Sequence, residues 1–363
     1  RNILRIGFAI DRDRCIGDSL DHQRAAHFSC EFQPRIPYHR RPIVNPSYDK
    51  SAVLAVLPAV SGGRLQDGSL RTWLAQAGLV RVPSDVELLS QLTGVLDLPY
   101  PQEGLAALRM WGQTGERPMA WIAAADPVYL EPRLDHLCLH DLSGDLVAPQ
   151  EFRALIEHLQ ATLAGDRQFG FIRLGQHGYL SAASPMPTAQ VPAYVVNQRV
   201  PSDYLPAGKE AAAYRNLLSE VEMSLHDQEF NQRRISGGKP PVNSLWLWGG
   251  GQAPAPTTKS LPPLFCDDPL LLGYWDSTNS SASLWPGTIA DCLKVSQDAG
   301  FVAVTPEDED SPDFLEHCLR QLRAALRHKQ VDRLTLLFRD GLRADIVRSQ
   351  RLRFWRRNSR LLD

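Results

Sequence analysis

A strand-like segment over residues 242–248 that ends in the glycines 249–251 constrains the fold of this chain most strongly. Ser244, Trp246 and Trp248 alternate with other residues and share one face, a pattern typical of a β-strand. Three consecutive glycines let the backbone turn sharply or approach another group closely. Because ligands of α/β proteins bind at the carboxyl ends of strands, the segment also predicts a site.

The composition is that of an ordinary globular protein, with 43% hydrophobic and 22% charged residues among 363. The net charge of -2 gives no field that would attract nucleic acid or a membrane surface. No apolar run reaches the roughly 20 residues needed to span a bilayer. The cysteines and histidines show no CxxC, HExxH or other metal-ligand spacing. We therefore expect a cytoplasmic protein with structural thiols and without a metal or other cofactor.

Proline positions and hydrophobic patterns divide the chain into three parts. Residues 1–50 are polar and interrupted by prolines, and we expect an N-terminal extension there that is either disordered or produced by an upstream start site. Residues 51–114 and 206–363 carry the α/β pattern of a core domain. Residues 115–205 show the order strand, strand, helix, strand, strand, which predicts a smaller α+β insertion domain.

The pattern of the core predicts a parallel sheet. Residues 51–60 are nearly all apolar, as expected of a buried first strand. Near the other end of the chain, residues 301–304, 312–329 and 334–338 alternate as strand, helix and strand. Such a unit is expected to be parallel and right-handed. We expect the segment 242–248 to join the same sheet as the first strand.

The glycine segment supplies the first candidate ligand-binding residues. Gly249, Gly250 and Gly251 would offer a nest of backbone N–H groups to an anion, and Asn243 would orient the bound group. The alternative is a structural turn after a buried strand. The spacing matches neither of the common glycine-rich phosphate-binding motifs.

Three further candidates lie at element ends. The helix predicted over 209–234 places His226 and Arg234 near its C-terminus, shortly before the glycine strand. These side chains would line the same cleft, or would only compensate the helix dipole, an effect of about 0.3–1 kcal/mol. Asp340, followed by Gly341, comes directly after the last predicted strand, where it would face a ligand or form a turn.

Histidines and carboxylates are densest between Asp126 and Asp141, where Glu131, His136 and His140 lie. Such side chains can bind metal ions. However, His136 and His140 share a face of the predicted strand only if that strand is regular. We expect no metal site here.

The C-terminal segment from Arg339 onward is rich in arginine, with Phe354 and Trp355 among the basic residues 351–357. A basic amphipathic tail would bind an acidic protein partner. The alternative is that the tail docks onto the protein's own surface, since tryptophan also packs under arginine stems.

Three stretches together resemble a group of proteobacterial proteins. They are the segment 241–251 with the preceding helix that carries His226, the stretch from Trp121 to Pro127, and residues 354–357. The group is described as phosphoglycerate mutase-like, or as the E-type regulatory protein of the pathogenicity-factor (Rpf) cluster. The resemblance covers about residues 51–357, and its most specific piece is Asn-x-x-Trp-x-Trp-Gly-x-Gly.

That group is in turn similar to the archaeal-type, cofactor-independent phosphoglycerate mutases of the alkaline phosphatase superfamily. This resemblance implies an α/β core sheet with helices on both faces, a two-metal site, a serine nucleophile and a phosphoserine intermediate. In those enzymes the first strand ends in Asp-Gly, whereas residues 57–60 here contain no carboxylate. Residues 301–311 contain no histidine for the later part of the metal centre. Two-metal chemistry needs several Asp and His ligands, and these positions do not supply them.

We therefore expect a non-catalytic or regulatory protein with a cleft for a small anionic or phosphorylated ligand. The alternative is a metal-dependent phosphoglycerate mutase, or a related phosphomutase or phosphatase, that uses Mn or Zn bound by residues at other positions. A third hypothesis is an interaction module that binds a protein partner through its arginine-rich tail.

Overall fold

The computed structural model describes residues 52–83, 86–164, 169–209, 211–297, 300–307, 309–349 and 359–362. The extension predicted for residues 1–50 and the aromatic part of the tail at 354–357 lie outside the described residues. Within the described part, no helix is long and apolar enough to cross a membrane. The strands described form two sheets.

The strands and helices are numbered in chain order. The strands are β1 (Ala52–Leu57), β2 (Val80–Arg81), β3 (Trp121–Pro132), β4 (Leu137–Asp141), β5 (Phe169–Leu174), β6 (His177–Ala182), β7 (Ser244–Gly251), β8 (Leu264–Phe265), β9 (Ala282–Ser283), β10 (Phe301–Val304), β11 (Arg333–Phe338) and β12 (Leu342–Val347). The helices are α1 (Gly68–Ala77), α2 (Leu88–Val95), α3 (Leu105–Thr114), α4 (Pro149–Leu163), α5 (Ala193–Val196), α6 (Ala212–Leu225), α7 (Glu229–Ser236), α8 (Pro269–Ser277), α9 (Ile289–Ser296) and α10 (Pro312–Arg327).

The first sheet, which we call the core sheet, has seven strands in the order β2-β12-β11-β1-β10-β8-β9. β1 pairs in parallel with β10 and β11, β10 pairs in parallel with β8, and β8 with β9. β12 and β2 are antiparallel additions at one side. The predicted first strand and the predicted unit of strand, helix and strand (β10, α10 and β11) are therefore confirmed.

Helices cover both faces of the core sheet, because alternate residues of a strand point to opposite sides. Val53, Ala55 and Leu57 of β1 belong to a buried cluster with residues of α1, α9 and α10. Leu54 and Val56 belong to another cluster, with residues of α2, α3 and α8. The predicted α/β class, with a core sheet between two helical layers, is confirmed.

The second sheet is built around β3, a strand of 12 residues. β6 pairs with the first part of β3, β4 with its last part, and β7 with residues 122–128, all of them antiparallel. β5 extends the sheet beyond β6. Residues of α4 and α6 cover one face, and residues of α3 belong to the cluster on the other face. The α+β elements predicted between 119 and 183 are present, while the boundaries of a 115–205 insertion domain stay a prediction.

The expectation that residues 242–248 join the sheet of β1 is wrong, since β7 pairs with β3 in the second sheet. Trp246 and Trp248 belong to the cluster that includes α3. Leu245 and Leu247 belong to the cluster that includes α6. Burial on both faces explains the apolar run, but central strands of either sheet share this property. The pattern therefore identifies a buried strand without identifying its partner.

The single helix predicted over 209–234 is also wrong, because the structure has two helices, α6 and α7. Gln228 between them has an extended backbone, with φ −72° and ψ 134°. The buried Asn231 side chain donates to the carbonyl oxygen of Leu225 at 3.0 Å. A carbonyl at the end of α6 is thus satisfied without the helix continuing.

α3 and α8 meet backbone to backbone. A Cβ atom on Gly112 would lie 1.8 Å from the carbonyl oxygen of Pro269, and one on Gly273 would lie 1.8 Å from that of Leu108. Only glycine at these two positions allows the helices to approach so closely. Since α3 also contacts β3 and β7, it joins a helix of the core sheet to the second sheet.

We expect Gly112→Ala to destabilise the protein by roughly 1–3 kcal/mol, because the added methyl group overlaps backbone atoms. The matched control is Gly94→Ala in α2, where an added Cβ would meet nothing within 4 Å. There alanine should raise the free energy of unfolding by about 0.5–1 kcal/mol, through its higher helix propensity. Urea unfolding followed by circular dichroism measures both variants. Equal stability of Gly112→Ala and the wild type would contradict the close contact of the helices.

Candidate functional site

The parallel strands of the core sheet end together at what we call the carboxyl edge. It consists of the segments that follow β1, β8, β10 and β11, namely residues 58–64, 266–268, 305–307 and 339–341. Ligands of open α/β sheets bind at such edges, because the strand ends leave backbone groups and loops free to face a ligand. The carboxyl edge is therefore the candidate functional site.

Asp340 ties two strand ends of this edge together. Its Oδ2 accepts hydrogen bonds from the backbone N–H groups of Val60, at 3.0 Å, and Ser61, at 2.7 Å. Its Oδ1 is buried and has no hydrogen-bond partner among the described residues. Asp340 was expected at the end of the sheet. In the structure it lies there and connects β11 to the loop after β1.

A glycine loop follows β1 at the same edge. Gly62 and Gly63 have φ angles of 69° and 71°, and a Cβ atom on either would meet nothing within 4 Å. This left-handed backbone favours glycine, and consecutive N–H groups in such turns can form a concave anion-binding surface. A ligand-binding loop at this position was not predicted from the sequence. The available signal is the run Ser61-Gly62-Gly63-Arg64 directly after the first strand.

Arg339 brings positive charge to the carboxyl edge. Its Nη2 donates to the carbonyl oxygen of Thr305 at 2.7 Å, and its Nη1 lies 2.8 Å from Glu307. Its Nε is buried and has no hydrogen-bond partner among the described residues. The Glu307 side chain is 84% exposed. Exposed ion pairs contribute only about 0–1 kcal/mol, so a bound anion could replace Glu307 at small cost.

Arg64 adds a second guanidinium group. It forms an ion pair with Asp310 at 2.5 Å, with the two side chains 36% and 44% exposed. The hydrogen bond and charge of Asp310 raise the pKa of Arg64, and the charge of Asp340 adds to the effect. Arg64 is thus a solvent-accessible cation on the loop after β1, within electrostatic reach of Asp340.

The resemblance implies a two-metal centre, and three acidic side chains of the carboxyl edge accept backbone N–H groups. Such a centre holds two dications roughly 3.5–4 Å apart with several Asp and His ligands. The edge has two arginines, Arg64 and Arg339, beside four acidic residues, Asp267, Asp268, Glu307 and Asp340. Asp340 already accepts two N–H groups. Asp268 caps α8, and Asp267 accepts from the N–H of Trp285. The histidines of the described residues lie on α4, α10, β4 and β6 or in the segments that follow β3, α6 and α10, outside the carboxyl edge.

The glycines of β7 lie in the second sheet, where their N–H groups are largely occupied. The N–H of Gly249 donates to the carbonyl oxygen of Ala189 at 2.8 Å, and that of Gly250 to Oγ1 of Thr188 at 2.9 Å. A Cβ atom on Gly251 would lie 2.4 Å from the backbone N of Gly104. These glycines therefore allow close packing on the start of α3, and two of the three N–H groups are not free for an anion.

Asn243 also makes contacts within the second sheet. Its Oδ1 accepts from the N–H of Leu130 at 2.8 Å, and its Nδ2 donates to the carbonyl oxygen of Leu130 at 2.9 Å. The side-chain amide thus takes the place of a neighbouring strand's backbone. These two hydrogen bonds extend the pairing of β3 with the segment before β7.

His226 and Arg234 lie in different environments, one exposed and one buried. The His226 side chain is 82% exposed and pairs with Asp227. Arg234 is 1% exposed, and it donates to Glu151 at 2.7 Å and to the carbonyl oxygen of Leu146 at 3.2 Å. Among the described residues, no hydrogen bond or ion pair joins Asp340 to any of the other six candidates. Their role in ligand binding stays a prediction.

A buried charge cluster lies between α3 and the second sheet. Arg109 forms an ion pair with Asp126 at 2.9 Å, and the side chains are only 8% and 9% exposed. Nη2 of Arg109 donates to the carbonyl oxygen of Gly178, and Nε1 of Trp248 donates to Asp126. The guanidinium lies 4.8 Å from the ring centre of Tyr179 and 5.2 Å from that of Trp248. We call this group the Arg109 clamp.

Glu87 is a buried carboxyl group that titrates near neutral pH. It caps α2 by accepting from the N–H groups of Leu89, at 2.7 Å, and Ser90, at 2.9 Å. Burial, with a smaller contribution from the charge of Asp268, raises the pKa of Glu87 to about 7. Both charged and neutral forms are therefore present at physiological pH.

Comparison with known proteins shows local sequence similarity to one class of enzyme. No family model matches the chain. Over 124 residues it is 32% identical to a 2,3-bisphosphoglycerate-independent phosphoglycerate mutase of Methanosarcina barkeri, a match over 33% of this chain and 31% of the relative. Over 128 residues it is 29% identical to a probable enzyme of the same name from Geobacter sulfurreducens, covering 35% and 32%. The chain thus spans about a third of the length of the curated relatives it matches.

Two solved structures resemble the chain over most of its length. The cofactor-independent phosphoglycerate mutase from Thermoplasma acidophilum has a TM-score of 0.37 and 17% identity, covering 82% of this chain and 89% of that one. The PH0037 protein from Pyrococcus horikoshii has a TM-score of 0.47 and 14% identity, covering 83% and 89%.

The sequence matches show distant homology to cofactor-independent phosphoglycerate mutases, so the predicted resemblance to that class is confirmed at this level. The α/β core sheet is consistent with the alkaline phosphatase-like fold expected from it. The closer relation to the proteobacterial regulatory group stays a prediction.

We expect Asp340→Ala to lower the free energy of unfolding by about 1–3 kcal/mol, because the N–H groups of Val60 and Ser61 lose their acceptor. The matched control is Asp310→Ala, which removes an exposed partner and should change stability by less than about 1 kcal/mol. Asp340→Asn, which keeps one acceptor oxygen, should lie between the two. Urea unfolding measures all three. A loss in Asp310→Ala as large as in Asp340→Ala would contradict the bridging role of Asp340.

We expect Glu87 to make stability depend on pH. In an unfolded chain its pKa is about 4.3, whereas burial raises it to about 7 in the fold. The folded state therefore binds a proton that the unfolded state has lost between these values, so the free energy of unfolding falls as pH rises through this window.

The decline attributable to Glu87 should have a slope of at most about 1.4 kcal/mol per pH unit. Glu87→Gln, which cannot titrate, should show a shallower decline than the wild type between pH 5 and 7. Urea unfolding at steps of half a pH unit gives both curves. Parallel curves would show that Glu87 is already ionised in the folded protein at pH 5.

Proposed function

We propose that this is a phosphoglycerate mutase-like protein without catalytic phosphoryl transfer, which acts as a regulatory protein by binding a small anionic or phosphorylated ligand at the carboxyl edge. The observation that carries the proposal is the pairing of Asp340 with the N–H groups of Val60 and Ser61, flanked by Arg64 and Arg339. In this arrangement the edge presents arginines and glycine N–H groups where two-metal chemistry would require clustered Asp and His ligands.

The chemistry of the edge suits an oxyanion. Arginine binds phosphate and carboxylate through two parallel N–H···O bonds, and such charge-assisted bonds are among the strongest in proteins. The acidic partners of Arg64 and Arg339 are exposed, so an incoming anion can exchange with them. The open loop at Gly62 and Gly63 would add backbone N–H groups.

The size of the ligand follows from the relatives. They are named phosphoglycerate mutases, and a phosphorylated three-carbon acid carries two anionic ends that two arginines can bind. The first ligand to test is therefore 3-phosphoglycerate, with inorganic phosphate as the smaller comparison.

The alternative function is a metal-dependent phosphoglycerate mutase or related phosphomutase or phosphatase that uses Mn or Zn. One observation favours it: Oδ1 of Asp340 is a buried carboxylate oxygen without a hydrogen-bond partner among the described residues. A buried carboxylate oxygen without a hydrogen-bond partner is a suitable metal ligand.

The experiment tests the two functions together. Purified full-length protein is assayed for conversion of 3-phosphoglycerate to 2-phosphoglycerate with added Mn²⁺, Zn²⁺ or Mg²⁺. We expect no turnover above the protein-free control under any of these conditions. Metal-dependent turnover that is lost in Asp340→Asn would overturn the non-catalytic proposal and support the alternative.

Binding of 3-phosphoglycerate is measured by isothermal titration calorimetry. We expect Arg64→Ala and Arg339→Ala to weaken binding by about tenfold or more, since a hydrogen bond to a charged group contributes roughly 1.5–3 kcal/mol. The matched control is Lys294→Ala on α9, whose side chain is 76% exposed and lies outside the carboxyl edge. If both arginine variants bind 3-phosphoglycerate as tightly as the wild type does, the carboxyl edge is not the ligand site.

The same proposal includes a cytoplasmic location, membership of the proteobacterial regulatory group and a protein partner for the arginine-rich tail. Arg348, near the start of the tail, donates to the carbonyl oxygens of Leu326 and Val331, both at 3.1 Å. These bonds favour docking of at least this part of the tail on the protein itself. The test is a pull-down with a variant that lacks residues 350–363. If this variant still binds the partner, the tail is not the interaction segment.

A further inference from the structure

We propose that Glu131, Cys138 and His140 form a binding site for a zinc-class divalent cation on the strand pair β3–β4, independent of the carboxyl edge. One donor atom from each side chain lies within 4.8 Å of the others. The spacing of histidines and carboxylates along the chain predicted no metal in this region. The structure adds Cys138, which strand pairing brings to the same place.

The register of the two antiparallel strands builds the group. Cys138 lies directly opposite Glu131, and His140 lies opposite Tyr129. Because side chains two residues apart on a strand point to the same face, Cys138 and His140 share one face with Glu131 and Tyr129. The ring of Tyr129 stacks on that of His140, with centroids 5.8 Å apart, which restricts the orientation of the imidazole.

The donor set determines the kind of ion. A thiolate, an imidazole and a carboxylate are the ligands that Zn²⁺ takes in proteins, at roughly 2.0–2.3 Å from the metal. Hard cations such as Mg²⁺ and Ca²⁺ prefer oxygen ligands alone. Cys138 is 8% exposed, whereas the His140 and Glu131 side chains are 29% and 31% exposed. The group is thus open to solvent on one side, where a water molecule would complete a tetrahedron.

The present contacts of Glu131 show that it already interacts with positively charged or proton-donating groups. Nε2 of His140 lies 2.8 Å from Glu131, and Nη2 of Arg133 lies 2.6 Å from it. The Arg133 side chain is 51% exposed, so this ion pair is weak and a dication can displace it. Arg133 therefore competes with a metal for Glu131.

The experiment uses the full-length protein stripped of metal. Titration with Co²⁺, a spectroscopic substitute for Zn²⁺, is followed by the near-ultraviolet charge-transfer band that requires a thiolate ligand, and Zn²⁺ affinity is measured by competition. We expect one equivalent of metal to give the band. Cys138→Ser should abolish it, and His140→Ala should weaken binding by about 10-fold or more, since even indirect partners of a metal ligand change affinity 10- to 100-fold.

Two further measurements separate a metal site from a structural hydrogen-bond group. Arg133→Gln should tighten Zn²⁺ binding, because it removes the competing cation. Binding should also tighten from pH 6 to pH 8, since protons compete with a metal ion for its ligands. The matched controls are His136→Ala, which removes a neighbouring histidine, and Cys318→Ala, which removes a buried cysteine on α10. Both should bind as the wild type does, and circular dichroism confirms that each variant is folded.

The proposal is overturned if the wild type gives no charge-transfer band, or if Cys138→Ser and His140→Ala retain the wild-type affinity for Zn²⁺. In the second case the metal is held by other residues. The result does not depend on the proposed ligand of the carboxyl edge. Arg64→Ala should leave the zinc affinity unchanged, and Cys138→Ser should leave 3-phosphoglycerate binding unchanged.

Discussion

The Arg109 clamp is the interaction on which the arrangement of the two sheets depends. A guanidinium and a carboxylate that are both more than nine-tenths buried are stable only with partners, because an unpaired charge in the interior costs several kcal/mol. Asp126 binds Arg109 and the indole N–H of Trp248, and Arg109 also reaches the carbonyl oxygen of Gly178. One helix is thereby fixed to three strands of the second sheet.

The same helix also meets α8, a helix of the core sheet. α3 lies on α8 through Gly112 and Gly273, whose missing side chains leave only backbone between the two axes. The glycines of β7 serve a related purpose, since Gly249 and Gly251 lie against residues at the start of α3. Glycines with different positions in the sequence therefore converge on one helix. Their shared role is close contact, whereas Gly62 and Gly63 have open space around them.

The parts of the fold that could be predicted are those specified by local pattern. The apolar run of β1 and the amphipathic α10 between two apolar strands define the core, because burial on one or both faces leaves a period in the sequence. The partner of β7 could not be predicted, since an apolar strand fits either sheet. Arg109 was missed for the opposite reason. A single arginine in a helix has the pattern of an exposed residue, and only its neighbours in space show that it is buried.

The candidate site shows the same division. Asp340 was expected at the end of its strand, and it lies there because the end of an apolar run is a local property. Its carboxylate meets the loop after β1 through hydrogen bonds between residues about 280 positions apart, which spacing along the chain does not predict. Cys138 joins Glu131 through strand register, and this too depends on how the strands align and not on which residues are close in sequence.

The Arg109 clamp also has a consequence for the order in which the chain folds. Arg109 and Asp126 are only 17 positions apart, but Trp248 lies 122 positions after Asp126. During synthesis, β3 is complete long before β7 emerges, so Arg109 is available to Asp126 before the indole donor of Trp248 is. Long-range strand pairing of this kind is slow compared with helix formation. The pairing of β7 with β3 therefore forms only after β7 has been synthesised, and Asp126 gains the indole donor of Trp248 at that step.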